Sequence, residues 1–155
     1  MKSKIITTLS IIFITLSFFS FKQKVEIVNG EDDIVATWWN EEKTSKIKIY
    51  KNTAGKIYGK IVWLADPNDK DGKPRTDVNN PDESKRSQAL LNLVILKNFT
   101  YVEEDKWEDG EIYDPTNGKT YSCEMELSED GKELDITGYI GFTWIGRTST
   151  FTKVE

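Results

Sequence analysis

The stretch Trp107–Cys123, WEDGEIYDPTNGKTYSC, constrains the fold more than any other part of this chain. Trp107 leads a strand-like run into Ile112 and Tyr113. A corner follows at Asp114-Pro115-Thr116-Asn117-Gly118, and a second run starts at Lys119. An Asn-Gly step between two such runs is the strongest short-range hairpin signal a sequence offers, because the turn needs residues that tolerate positive φ. In the second run Tyr121, Cys123, Met125 and Leu127 alternate with Ser122, Glu124 and Glu126, so one face is apolar and the other polar.

The same two-residue period recurs along the chain. Ile34–Trp39 opens the series; Trp38 and Trp39 are adjacent, so one points to the core and the other to the rim or outer surface. In Lys46–Tyr50, Ile47 and Ile49 face in while Lys46 and Lys48 face out. Lys56–Leu64 places Ile57, Gly59, Ile61 and Trp63 on one face, and Gly59 within a strand predicts a bulge or sharp bend. Leu91–Leu96 continues through Phe99–Val102 after a kink at Lys97-Asn98. Beyond the central hairpin, Glu133–Ile140 carries Leu134 and Ile136 inward, and Phe142–Lys153 closes the series. The prediction is an all-β domain: a single antiparallel barrel or sandwich of about eight strands with at most a short helix. A barrel of that size is filled by side chains or holds one small ligand.

One segment breaks the pattern. Ala65–Ser87 is rich in Asp, Asn, Pro and Gly, with Val78 its lone large apolar residue. Loops of this length within a small domain are functional or mobile. Its end, Ser84–Leu90, fits a short helical turn capped by Asp82 or Ser84.

The chain has 155 residues, which suits one domain after a leader. Lys2 and Lys4 precede an apolar run from Ile5 to Phe19, and polar sequence resumes at Lys22, the marks of a secretory signal peptide. The expected division is a signal peptide at 1–20, an N-terminal arm at 21–33 and the barrel domain at 34–155. The run is short for a membrane span, so no transmembrane helix is expected after cleavage, and the mature protein is expected in the periplasm or outside the cell. Losing Lys2 and Lys4 with the leader takes the formal charge from −5 to −7. No basic run remains, which argues against nucleic acid and against an anionic membrane surface. Cys123 is the single cysteine, so no internal disulfide forms, and its place in the alternation makes it a small buried apolar residue. There is no histidine. Ser-His-Asp and Cys-His catalysis are therefore excluded, and the usual zinc ligand is missing.

Read in order, Trp39, IYGKIVWL, Asp77-Val78-Asn79-Asn80-Pro81-Asp82, Arg86, LLNLVIL, the Trp107–Cys123 block and LDITGYIG form a recognisable series. The chain resembles the bacterial domain-of-unknown-function family DUF2147 over about Val35–Lys153. The most specific positions are Trp107, Gly110, Ile112, Tyr113, Asp114, Pro115, Gly118, Lys119 and Tyr121. It departs from the family's pattern at Asn92, where a Gly is usual, and at Phe151 and Lys153, where the family ends on a Trp and a basic residue. The resemblance implies an exported envelope protein with a lipocalin-like, calycin-type, up-and-down β-barrel. It implies no activity and no cofactor.

Ligand-binding candidates follow from the barrel expectation. The aromatic residues Trp63, Trp107, Tyr113, Tyr121, Tyr139 and Trp144 sit at strand positions that are either core or cavity lining. Asp77, Asn79 and Arg86 make a polar cluster in which Arg86 either pairs with Asp77 or Asp82, or meets a ligand's anionic group at the barrel mouth. Asp69, Asp71 and Gly72 fall at the third, fifth and sixth places of a calcium loop, but Pro67 and Val78 stand at its two anchoring places, which leaves at most weak calcium binding through Asp66, Asn68 or Asp71. Asp114 reads as turn chemistry; an acid/base role with Glu111 or Glu124 would need carboxylates facing across a cleft. The expected role is non-enzymatic, with no metal or cofactor: binding of a small apolar or amphipathic ligand or lipid. The rival readings are an interaction module that docks on an envelope protein, and a histidine-free carboxylate hydrolase.

Overall fold

Eight strands form one antiparallel ladder that closes on itself. They are β1 (Thr37–Trp39), β2 (Ser45–Lys51), β3 (Ile57–Leu64), β4 (Val94–Tyr101), β5 (Lys106–Asp114), β6 (Lys119–Leu127), β7 (Glu133–Tyr139) and β8 (Gly146–Lys153). Each pairs with its sequence neighbours, and β1 pairs back onto β8, giving an up-and-down barrel. The computed structural model describes residues 30–103, 105–139 and 146–155. The expected leader, most of the expected arm, and Ile140–Ile145 with Trp144 lie outside the described residues.

The alternating stretches became strands with the expected faces. Ile47, Ile49, Ile57, Ile61, Cys123, Met125, Leu127, Leu134 and Ile136 are all buried, while Lys48, Glu124 and Glu126 are exposed. Trp38 is fully buried and Trp39 is not. Burying side chains of this size stabilises by about 1.5–3 kcal/mol each, which is why alternation alone predicts the pairing face. The boundaries differ at two starts. Ile34 belongs to a turn before β1, where its carbonyl accepts from Trp38 Nε1 at 2.9 Å, and the two side chains seal one end of the barrel. Leu91 precedes β4 and is exposed, because Asn92 takes φ +70° and turns the chain there. Asn tolerates the left-handed region better than most non-glycine residues, so Asn92 can hold this turn.

Four register shifts set the inside and the outside. In the β2–β3 pairing Ile47 faces Ile61 but Lys46 faces Trp63, so Val62 is an extra residue and parity inverts. Trp63 is therefore not on the face of Ile57, Gly59 and Ile61; it points outward and is 40% exposed. In the β5–β6 pairing Trp107 faces Met125 and Gly110 faces Cys123, leaving one extra residue between them, with Asp109 at φ +59°. The β3–β4 register shifts on both sides of Gly59, with Asn98 at φ +67°. The bend predicted at Gly59 is present, as is the kink at Asn98.

The glycine at 110 is a packing requirement. A Cβ built there would lie 2.3 Å from the ring of the fully buried Phe99. At Gly138, also on the inner face, a Cβ would meet Ile112 and Tyr121 only at 3.5 and 3.7 Å, ordinary contact. Gly110→Ala should therefore destabilise the barrel by about 1–3 kcal/mol through overpacking, while Gly138→Ala stays within about 0.5 kcal/mol. Urea denaturation of the two variants measures the contrast.

Candidate functional site

The strand order gathers the β1–β2 turn, the long β3–β4 loop and the β5–β6 corner at one end of the barrel, where β7 also ends at Tyr139 opposite the start of β8 at Gly146. The opposite end carries short turns and the Ile34–Trp38 seal. The long loop is built into the structure. Asp77 is completely buried, receives the Tyr113 hydroxyl at 2.7 Å on Oδ1 and Asn80 Nδ2 at 2.7 Å on Oδ2, and bonds Gln88 through its backbone. Tyr113 pairs with Thr120 on the outer face of β5–β6, yet it is buried, because the loop covers it. Asn79 donates to the carbonyls of Pro115 and Thr116 at 3.2 and 2.9 Å. Gly118, at φ +72°, makes the corner fit: a Cβ there would sit 1.9 Å from the Asn79 carbonyl oxygen. The loop is thus clamped onto the hairpin that dominates the sequence.

The rest of the loop satisfies itself. Asp82 caps a one-turn 3-10 helix, Glu83–Lys85, by accepting from Ser84 N at 3.0 Å. Arg86 does not pair with Asp77 or Asp82. Its Nε donates to the Asn80 carbonyl at 2.9 Å and its Nη1 to Glu83 at 3.2 Å, because the helical turn brings those acceptors within three to six residues. Asp69 accepts from the backbone of Asp71 and Lys73, so it holds a turn in the stretch that half resembles a calcium loop. Among the described residues no group of three or more carboxylate or thiol ligands stands close enough to hold a metal ion. Asp114 accepts from Thr116 and Asn117 in the corner, the turn chemistry expected of it.

The aromatic candidates scatter. Trp107 is core, beside Tyr101 at 5.3 Å between rings, and its buried Nε1 finds no acceptor among the described residues. Trp63 stacks edge-on against Trp39 at 5.3 Å on the outer wall. Tyr139 pairs with Ser122 on the outer face, where burial and then Glu124 push its hydroxyl upward from the ordinary value. Tyr113 is locked to Asp77. Tyr121 alone among the described aromatic candidates lines the inner wall at the loop end. It pairs with Ile112, is half-buried, and accepts from Asn117 Nδ2 at 3.0 Å.

Residues that the sequence did not single out complete this mouth. Register places Gly138 opposite Cys123 on the inner face and Arg147 opposite Gly138. Ile112, Tyr121, Gly138 and Leu64 stay half-buried here, whereas the layers below are sealed by Trp38, Phe99, Trp107 and Met125. The Arg147 side chain is largely exposed, with Glu41 at 4.0 Å as a loose partner. Counting the β7–β8 register from Leu134 and Phe151 would have found Arg147. Elsewhere, two depressions of about 300 and 270 Å³ lie on the outer wall, lined largely by carboxylates such as Glu126 and Asp135.

Residues 36–153 match the family described as an uncharacterized protein conserved in bacteria, DUF2147. The chain belongs to that family. Among solved structures the DUF2147 barrel is similar to protein HP1028 from the human pathogen Helicobacter pylori, described as belonging to the lipocalin family. The two share 22% identity over 79% of this chain and 83% of that chain, with a TM-score of 0.66. At that identity the likeness shows the fold: this is a lipocalin-like barrel. No curated protein sequence matches the chain.

Two outcomes follow. Asp77→Ala strands the buried Tyr113 hydroxyl and should cost about 1–3 kcal/mol, while Asp77→Ala added to Tyr113→Phe should cost less than the sum of the singles. A denaturation cycle measures the coupling, and limited proteolysis within 65–90 should accelerate in Asp77→Ala. Burial also pushes the Cys123 thiol up from its ordinary value to about 12. The native state then holds a proton that the unfolded chain releases. This contribution is intact below about pH 9 and is lost as pH rises towards 12. Burial, then Asp77, raises Tyr113 to about 12, in the same direction. Cys123→Ala should flatten the alkaline fall in stability, read from urea midpoints across that window.

Proposed function

We propose that the protein is an exported carrier that binds a small amphipathic ligand at the loop end of its barrel, without catalysis. The supporting observation is the contrast between layers: below the mouth Trp38, Phe99, Trp107 and Met125 fill the barrel and are fully buried, whereas Ile112, Tyr121, Gly138 and Leu64 form a half-buried lining beneath Arg147. Apolar contact with that lining would supply most of the affinity. Arg147, held only loosely by Glu41, would orient a carboxylate or phosphate. Eight-stranded barrels hold one small ligand where side chains leave room. The leader-like start of the sequence, Lys2 and Lys4 before Ile5–Phe19, supports a periplasmic or secreted location. A second reading, an envelope interaction module with a filled barrel, draws on the outward Trp39–Trp63 pair.

Native mass spectrometry of the protein purified gently from its host's envelope tests the carrier reading. The expected result is a discrete extra mass that denaturation releases. Gly138→Phe, which fills the mouth, should abolish uptake of added fatty acids. Arg147→Gln should weaken acidic ligands about 10–100-fold relative to neutral ones. Trp63→Ala, on the outer wall, should leave uptake unchanged. A bare protein mass with no uptake of fatty acids or lipid extracts by the unaltered protein would overturn the reading.

A further inference from the structure

The outer wall is divided by charge. On β4–β6 the lysines face carboxylates across the ladder: Lys97 opposite Glu111 and Lys106 opposite Glu126. On β2–β3, Lys48 stands directly opposite Lys60, and neither makes an ion pair among the described residues. Like charges directly opposite in an antiparallel pair are destabilising. The other such pair, Glu126 opposite Asp135, is compensated, since Lys106 lies 3.7 Å from Glu126 and the Thr150 hydroxyl donates to Asp135 at 2.6 Å. Among the described residues no carboxylate compensates Lys48 and Lys60.

Aromatic rings flank this pair in register. On the side of the loop end, Trp39, Lys46 and Trp63 lie across three strands, with Lys46 Nζ 4.4 Å from the Trp39 ring and 5.6 Å from that of Trp63. On the other side Tyr50 faces Tyr58, ring centroids 6.1 Å apart. The outward positions of β1–β3 carry no carboxylate, in a chain of net charge −5. Strand pairing thus builds a basic patch that the linear sequence, with no basic run, does not display.

We propose that this face docks the barrel onto an anionic phospholipid surface. Three features select a lipid plane over a threaded polymer. The charges are all lysines, point charges that add in the field of a charged plane, while Arg75, Arg86 and Arg147, the forked groups suited to a single phosphate, lie elsewhere. The aromatics are Trp and Tyr, whose part-apolar, part-polar rings settle at the headgroup level. Trp39 and Trp63 meet edge to face at 84° beneath Lys46, so they offer no parallel ring faces for stacking bases.

The test is vesicle co-sedimentation of the full chain. Mixed phosphatidylglycerol–phosphatidylcholine vesicles are compared with pure phosphatidylcholine, which reports any uncharged binding through Ile5–Phe19. Preference for the anionic vesicles is expected, falling with salt. The combined Lys46→Gln, Lys48→Gln and Lys60→Gln variant should lose about fivefold per lysine, on the order of 100-fold in all. Its melting temperature should hold or rise, because a repulsive pair is gone. The combined Glu108→Gln, Glu124→Gln and Glu126→Gln variant shifts net charge by the same amount in the opposite direction but should gain only a few-fold. Three results would overturn the proposal: no preference for anionic vesicles, equal binding by the lysine variant, or lysine-dependent binding to a single-stranded oligonucleotide or polyphosphate with none to vesicles.

Discussion

In a closed ladder each strand's register is fixed twice, once by each neighbour, so an extra residue cannot be absorbed by slipping. It must appear as a bulge, and a bulge reverses which side chains face in. The extra residue at Val62 sends Trp63 to the outer wall. The one between Trp107 and Gly110 keeps both turned inward, where Gly110 leaves space for the Phe99 ring. The division of the molecule into sealed interior, half-open mouth and charged wall rests on these inversions.

The long loop answers to a different constraint. A carboxyl group as deeply buried as Asp77 is costly unless its oxygens are occupied, and Tyr113 and Asn80 occupy them. That bond turns over twenty polar residues from a cost in chain entropy into a cover for the β5–β6 hairpin. The Asn79 contacts to Pro115 and Thr116 add a second clamp, and Gly118 permits it. Arg86, the residue with the most obvious ligand chemistry, is spent within the loop on Glu83 and Asn80.

Local periodicity carried the fold. Ile47 and Ile49, Leu134 and Ile136, and the run from Cys123 to Leu127 each announce a face within five residues, and the Asn117-Gly118 corner fixes one hairpin outright. What periodicity could not carry was anything that depends on counting across a bulge or between distant segments. No residue near Val62 marks it as extra, so Trp63 reads as inward. Asp77 and Tyr113 lie 36 residues apart, and nothing in either segment names the other. Arg147 becomes an inner-wall residue only once β7 and β8 are aligned. The sites therefore depend on register, while the strands depend on sequence that is close at hand.

That distinction bears on where function sits in a barrel such as this. The interior below the mouth is determined by packing: Trp38, Phe99 and Trp107 are large, fully buried and intolerant of change. The packing argument has no force at the mouth or on the β1–β3 wall, yet both depart from what stability alone would select. A glycine opens the mouth where an alanine would fit, and Lys48 faces Lys60 where a carboxylate would stabilise. Each is a position at which a cheaper residue was open to the fold. A carrier delivering an amphipathic ligand to or from a bilayer would need a polar-rimmed mouth and a wall that rests on phosphate headgroups, and the two departures supply one requirement each.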